Sequence, residues 1–235
     1  MDRAGGRIGL LGGMSWQSTA LYYRLLNEGT SERLGGLHSS DCVLVSIDFD
    51  EIAGLQPAGR WAEAGELLAG AARRVEAAGA DLVLVCTNTM HKVADQIQEA
   101  IGIPLLHIVD VTAAEARRLG LTRLGLVATS FTMEQPFYRE RLESHGLEVL
   151  VPDAPGRELV HRVIYDELCR GVFEPSSRAR VAEVIAGLVE QGAEGVVLGC
   201  TEIELLIGSD DCSVPVLPTT HLHAAAALDA TLGAP

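Results

Sequence analysis

Gly192-Ala193-Glu194-Gly195-Val196-Val197-Leu198-Gly199-Cys200-Thr201-Glu202 is a short apolar run that stops abruptly on a glycine, a thiol and two polar residues. It reads as a buried strand that delivers a cysteine to its carboxyl end. Gly79-Ala80-Asp81-Leu82-Val83-Leu84-Val85-Cys86-Thr87-Asn88-Thr89 has the same build: glycine, alanine, an acid, an apolar run, then small polar groups. Aligned on Gly79 and Gly192, Thr87 falls opposite Cys200, and Cys86 falls opposite Gly199. The offset matters because neighbouring side chains on an extended segment point to opposite sides.

The likeness extends outward from these runs. Arg7-Ile8-Gly9-Leu10-Leu11-Gly12 resembles Arg123-Leu124-Gly125-Leu126-Val127-Ala128, and Ile103-Pro104-Leu105-Leu106 resembles Val214-Pro215-Val216-Leu217. Three pairs in one order, at nearly the same separations, indicate a duplication whose halves cover roughly 7–110 and 123–221 and face each other about a pseudo-twofold axis. The fold expected is α/β, with two similar pseudo-symmetric lobes, each a mainly parallel sheet flanked by helices, and the active site between them. Residues 1–112 with 215–235 would form the first lobe, the C-terminal helix returning to it, and 113–214 the second.

Composition fits this reading and narrows the function. Hydrophobic residues make up 48% of the 235 and aromatic residues only 4%, as helices packed on parallel sheets require. A net charge of −14 leaves no basic face to neutralise phosphates, which argues against nucleic acid or an anionic membrane as partner. It does not exclude an acidic small substrate, since a pocket can be locally positive. The five cysteines show no CxxC spacing, the start lacks a signal-peptide core, and no apolar run reaches membrane-spanning length. A soluble cytoplasmic protein with reduced thiols is therefore expected. Cys42, Cys169 and Cys212 read as packing residues.

Along the chain, Ile8 to Leu11 predicts a strand ending in the turn Gly12-Gly13-Met14-Ser15, with Ser15 capping a helix through about Glu28. This turn is neither GxGxxG nor a P-loop. Val43 to Ile47 predicts the next strand, and Leu67, Leu68, Ala71, Ala72 and Val75 mark a crossover helix between Ala62 and Ala78. Ile103 to His107 reads as a further strand and Thr112 to Leu119 as a helix. In the second half the order recurs. A strand over 123–128 leads to the polar turn Thr129-Ser130-Phe131-Thr132, a helix over about Glu134–His145 and a strand over Glu148–Val151. Helices marked by Val160, Val163, Ile164 and Leu168, and by Val181, Val184, Ile185, Leu188 and Val189, precede the Cys200 strand. Val214–Leu217 and a helix over about Leu222–Thr231 close the chain. Ligands of parallel sheets collect at the carboxyl ends of the strands, where the glycine turn, Thr87 and Cys200 all fall.

Gly9-Leu10-Leu11-Gly12-Gly13-Met14-Ser15, Cys86-Thr87-Asn88-Thr89-Met90-His91 and Gly199-Cys200-Thr201-Glu202 together resemble the aspartate/glutamate racemase family, in order and across essentially the whole chain. The resemblance implies two facing α/β lobes, no pyridoxal phosphate or other cofactor, a homodimer, and two cysteines flanking the substrate α-carbon. The usual first motif is Cys-Asn-Thr-x-His, whereas here Thr87 stands in the cysteine's place. This departure resembles the subgroup specific for L-aspartate and L-glutamate, in which a threonine faces a cysteine.

The activity implied is racemisation of aspartate or glutamate, with an L preference. Such inversion without a cofactor needs one group to take the α-proton and another to return a proton to the opposite face. Cys200 is the expected base, because a thiol's pKa of about 8.5 can fall at a helix N-terminus or beside cations. Thr87, a far weaker acid, would complete the inversion as donor or relay; the rival for that place is Cys86, on a strand bulged by one residue. Backbone N–H groups and hydroxyls around Met14, Asn88, Thr89, Thr129, Ser130, Thr132 and Thr201 can hold carboxylates. Gln56 or Arg60 would reach the side-chain carboxylate. Glu202 joins the substrate-binding candidates, and it and His91 could orient the acid and base groups. His221-x-His223, with Asp48, Asp50 or Glu51, looks metal-like but lacks a located third ligand, so no metal is expected. The alternatives are a related enzyme acting on hydantoin, maleate or malonate-type substrates, or a two-lobed sensor of small acids without chemistry.

Overall fold

The computed structural model describes residues 5–233, which divide into two compact units. One takes in residues 5–107 and 223–233; the other is continuous, Ile108–Leu222.

The first unit is built on β1 (Ile8–Gly12), β2 (Cys42–Ser46) and β3 (Leu82–Val85), all parallel in the order β2-β1-β3. β1 and β3 are buried along their whole length, which is why their sequences are continuously apolar rather than alternating. The helices are α1 (Trp16–Leu34), α2 (Phe49–Leu55), α3 (Trp61–Ala77) and α4 (Ala94–Glu99). Ser15 caps α1 by accepting from Ser18 N–H, and Asp48 caps α2 by accepting from Asp50 N–H. α3 buries Leu68, Ala71, Ala72 and Val75 against the sheet, whereas Leu67, at the edge of that stripe, is 40% exposed.

The second unit holds α5 (Ile108–Arg118), β4 (Arg123–Ala128), α6 (Ser130–Glu134), α7 (Pro136–Ser144), β5 (Glu148–Leu150), α8 (Ala154–Arg162), α9 (Pro175–Glu190), β6 (Gly195–Gly199), β7 (Val216–Pro218) and the start of α10 (Thr219–Leu232). Its sheet is parallel in the order β5-β4-β6-β7. The boundary between the units falls inside α10, whose Ala224, Ala227 and Leu228 pack with Tyr22, Leu26 and Leu84 in the first unit's core. Burying Leu228 alone contributes roughly 1.5–3 kcal/mol.

The two units repeat each other contact for contact at several points. Gly9 lies opposite Val83, and Gly125 opposite Val196, so β3 and β6 run in the same register beside their neighbours. Arg7 Nε pairs with Asp41 at 2.8 Å, and Arg123 Nε with Glu148 at 2.8 Å. Asp81 N–H donates to Arg7 O, and Glu194 N–H to Arg123 O, both at 2.8 Å. Gly79 and Gly192 both take positive φ, 84° and 99°, at the turn entering the strand. Val83 N–H donates to Pro104 O and Val196 N–H to Pro215 O, both at 2.9 Å.

The structure departs from the sequence reading in four places. Ile103–His107 is not a strand: it makes a single bridge, Leu105 to Val83, whereas the matching run of the second unit, with Pro215 in the place of Pro104, forms β7. The expected helix over 134–145 is cut at Pro136, which forces Gln135 to an extended ψ of 146° and leaves α6 and α7 on either side. α1 runs on past Glu28, since Gly29 is a packing glycine whose missing Cβ makes room for Leu228, and stops at Gly35 with φ 73°. The helix over 160–168 loosens after Arg162 into a π turn, Val163–Glu167, and a 3₁₀ turn, Leu168–Arg170, before Gly171 at φ 75°.

Candidate functional site

In the first unit the carboxyl end of β3 carries Cys86 and Thr87 on opposite sides. Cys86 is fully buried in the cluster of Tyr22, Leu26 and Leu84, and burial pushes its thiol far up. Thr87 is the one residue between Leu82 and Met90 that is not buried. The chain then turns tightly, Thr87 N–H donating to Val85 O at 2.8 Å, and enters a 3₁₀ turn, Thr89–Val93. His91 reaches back from it, its Nδ1 2.8 Å from Thr87 O. A carbonyl only accepts, so Nδ1 carries the proton.

Met14, Asn88 and Thr89 are buried at neighbouring strand ends of this unit. Gln56 is buried too, with its Nε2 3.4 Å from Met90 Sδ. Arg60 forms a two-pronged pair with Glu63 on the surface, its Nε 2.6 Å from Oε1, so its charge is already partnered.

In the second unit β6 delivers Cys200, buried at 6% exposure, to the matching position. Its Sγ donates to Glu202 Oε2 at 3.1 Å. This overturns the expectation of a lowered thiol pKa: burial raises it well above the ordinary value, and the Glu202 carboxylate and the Cys169 thiol raise it further.

The side chains around this pair come from β4's carboxyl end and from α8 with its irregular continuation. Ser130 N–H donates to His161 Nδ1 at 3.3 Å, and Thr129 and Thr132 hydroxyls lie 3.3 Å apart. His161 stacks on Tyr165 with ring centroids 4.7 Å apart, and its pKa is lowered, mainly by burial. Burial pushes the Cys169 thiol up to about 12, with Glu202 adding to it, and raises the Tyr165 phenol, with Cys200, Cys169 and Glu202 adding. Cys169 packs against the second unit's core, as the sequence reading has it, and also lies in the field of Glu202. Thr201, also buried, accepts from the Thr220 hydroxyl at 3.3 Å.

His161 and Tyr165 escaped the sequence reading, and Cys169 was read for packing alone, although the three are spaced four apart. That polar stripe lies beside the apolar one of Val160, Val163, Ile164 and Leu168, and only the apolar stripe was followed.

His221 and His223 do not converge. His221 Nδ1 donates to Glu204 at 2.9 Å on the surface, while His223 is fully buried between Tyr22 OH and Leu106 O, each at 2.8 Å. Among the described residues no three His, Cys, Asp or Glu side chains are grouped to hold a metal ion, and no helix is long and apolar enough to cross a membrane.

Two matching lobes, each ending its second-half strand in a proton-bearing side chain, meet their counterparts in known proteins. Residues 11–227 match the model of the Asp/Glu/hydantoin racemase family, and the chain belongs to that family. A solved Yersinia pestis protein, provisionally described as an Asp/Glu racemase, is 52% identical with a TM-score of 0.89, over 95% of this chain and 98% of that one. An aspartate racemase homologue from Pyrococcus horikoshii OT3 is 32% identical with a TM-score of 0.84 over the same shares. Among curated proteins, a glutamate racemase of Desulforudis audaxviator is 30% identical over 54% of this chain and 46% of its own length. The broad specificity amino-acid racemase of Bacillus subtilis is 22% identical over 63% of each. These matched stretches span about half to two thirds of the curated relatives.

Proposed function

We propose that this protein is a cofactor-independent amino-acid racemase of aspartate/glutamate type, L-preferring, with Cys200 and Thr87 as its catalytic pair. The observation that carries the reading is the shared register of β3 and β6. It makes Thr87 and Cys200 equivalent, each the same number of residues past its strand's start and each at a carboxyl end. Cys86 has the wrong parity, and its burial in the core speaks against the rival role.

In this reading Cys200 passes its proton to Glu202, and the resulting thiolate takes the α-proton of one enantiomer. The electron pair left on the α-carbon is held in the substrate's own carboxylate. Proton return to the opposite face comes from the Thr87 side, relayed by water, because a free hydroxyl is too weak an acid to match a thiol. Met14, Gln56, Asn88, Thr89, Thr129, Ser130, Thr132 and Thr201 supply the small donors that grip the substrate's carboxylates. The pair is unequal, and one enantiomer is handled faster than the other.

The same reading has the chain working in the cytoplasm as a homodimer. Trp16 and Tyr23 on α1 and Leu44 on β2, at 68%, 54% and 46% exposure, support self-association through the first unit, which light scattering of the purified protein tests. For the activity, the L- and D-forms of aspartate and glutamate are each incubated with the protein in heavy water, and α-hydrogen exchange is followed by proton NMR. Exchange and inversion of at least one pair are expected; a protein that exchanges none of the four is not such a racemase.

A further inference from the structure

We infer that His91 is a positioning residue that sets the aim of Thr87, and that His223 and Tyr22 hold His91 in place, an inference resting on the racemase reading above. The Thr87 carbonyl takes its partner from a side chain rather than from the backbone N–H of residue 91. In an α-helix the backbone N–H of residue 91 would serve the Thr87 carbonyl; here the tighter 3₁₀ turn sends that N–H to Asn88 O at 3.1 Å. The imidazole substitutes for it, with Nδ1 2.8 Å from Thr87 O. A side chain thus shares with the Thr87 N–H to Val85 O bond in fixing the peptides on either side of Thr87.

That side chain is itself clamped. The His91 ring is 3% exposed and meets the edges of His107 and His223, with centroids 4.6 and 5.7 Å away. His223 is fixed on both edges. Its Nε2 faces Leu106 O at 2.8 Å, so it carries the proton there, and its Nδ1 accepts from Tyr22 OH at 2.8 Å. Tyr22 is wholly buried on α1. Segments from the start, middle and end of the chain thus converge behind one threonine. A plain core histidine would need one partner, not this run of fixed tautomers.

The test separates donor from bulk. Asn places its side-chain N–H where His91 has Nδ1–H, whereas Gln places it one bond farther out and Leu has none. In the full-length protein, α-hydrogen exchange in heavy water is measured for each enantiomer of aspartate and glutamate, with thermal midpoints as the check on folding. His91→Leu and His91→Gln are expected to slow exchange of the enantiomer served from the Thr87 side by on the order of 100-fold, as a misplacement of about 1 Å does. Exchange served by Cys200 stays near wild type, His91→Asn recovers most of the loss, and Tyr22→Phe shows a smaller loss of the same one-sided kind. Equal slowing of both enantiomers, no slowing of either, or an Asn variant no better than Gln overturns the inference. If the wild type exchanges neither enantiomer, the racemase reading falls and this falls with it.

Discussion

Cys200 and Glu202, two residues apart at the end of β6, are joined thiol to carboxylate across 3.1 Å in a buried setting. The carboxylate both holds the thiol proton and opposes its loss. Replacing Glu202 by Gln removes the negative neighbour, so the Cys200 pKa should fall. Alkylation of Cys200 by iodoacetamide, followed by mass spectrometry across a pH series, should then set in at lower pH than in the wild type. Racemisation should nevertheless drop, by about 10²-fold if Glu202 serves as the proton acceptor.

The proposed catalytic pair can be rebalanced. Cys200→Ala should abolish α-hydrogen exchange of the enantiomer that the wild type handles faster. Thr87→Cys, which puts a thiol at the equivalent end of β3, should raise exchange of the slower enantiomer. Initial rates from each enantiomer in heavy water read both outcomes, and a Thr87→Cys protein with an unchanged ratio counts against Thr87.

His223 makes stability depend on pH. Burial lowers its pKa to about 4 from 6.5, against the partial support of the Leu106 carbonyl, so the unfolded chain binds the proton more tightly. The contribution is fully present above pH 6.5 and is lost as the pH falls toward 4, amounting to about 3 kcal/mol by the shift. Urea unfolding at pH 7 and pH 5 should show the wild type losing more stability over that interval than His223→Gln.

Gly79 and Gly192 test the duplication energetically. Each sits at positive φ before its strand, and a Cβ on either would approach the guanidinium of Arg7, at 3.2 Å, or Arg123, at 2.8 Å. Ala at either position should cost about 1–2 kcal/mol, with similar values at the two sites. Urea midpoints of the two single variants measure this; a large cost at one and none at the other would break the parallel.

The strands were legible because parallel sheets covered on both faces leave unbroken apolar runs, and glycines mark their entrances. The same regularity gave the pairing of Thr87 with Cys200, since register follows from counting. What escaped is where the backbone leaves regular geometry. The run at Ile103–Leu106, which looks like Val214–Leu217, makes one bridge only, and the stripe of His161 and Tyr165 lies beside a stronger apolar one on a helix that loosens into a π turn at Val163–Glu167. The Cys200 environment was misjudged for another reason: the sequence displays Glu202 two residues away but not that both groups are buried together. The Tyr22–His223 bond spans 201 positions, a separation that no local pattern announces.

The division of α10 between the units has a consequence for how the protein is made. A ribosome makes all of Ile108–Leu222 before it reaches Ala224, Ala227 and Leu228, which α10 supplies to the earlier unit's interior. The unit that holds β1 is therefore sealed only after the other unit has been made, and its Tyr22 and Leu26 wait until Ala224, Ala227 and Leu228 have left the exit tunnel.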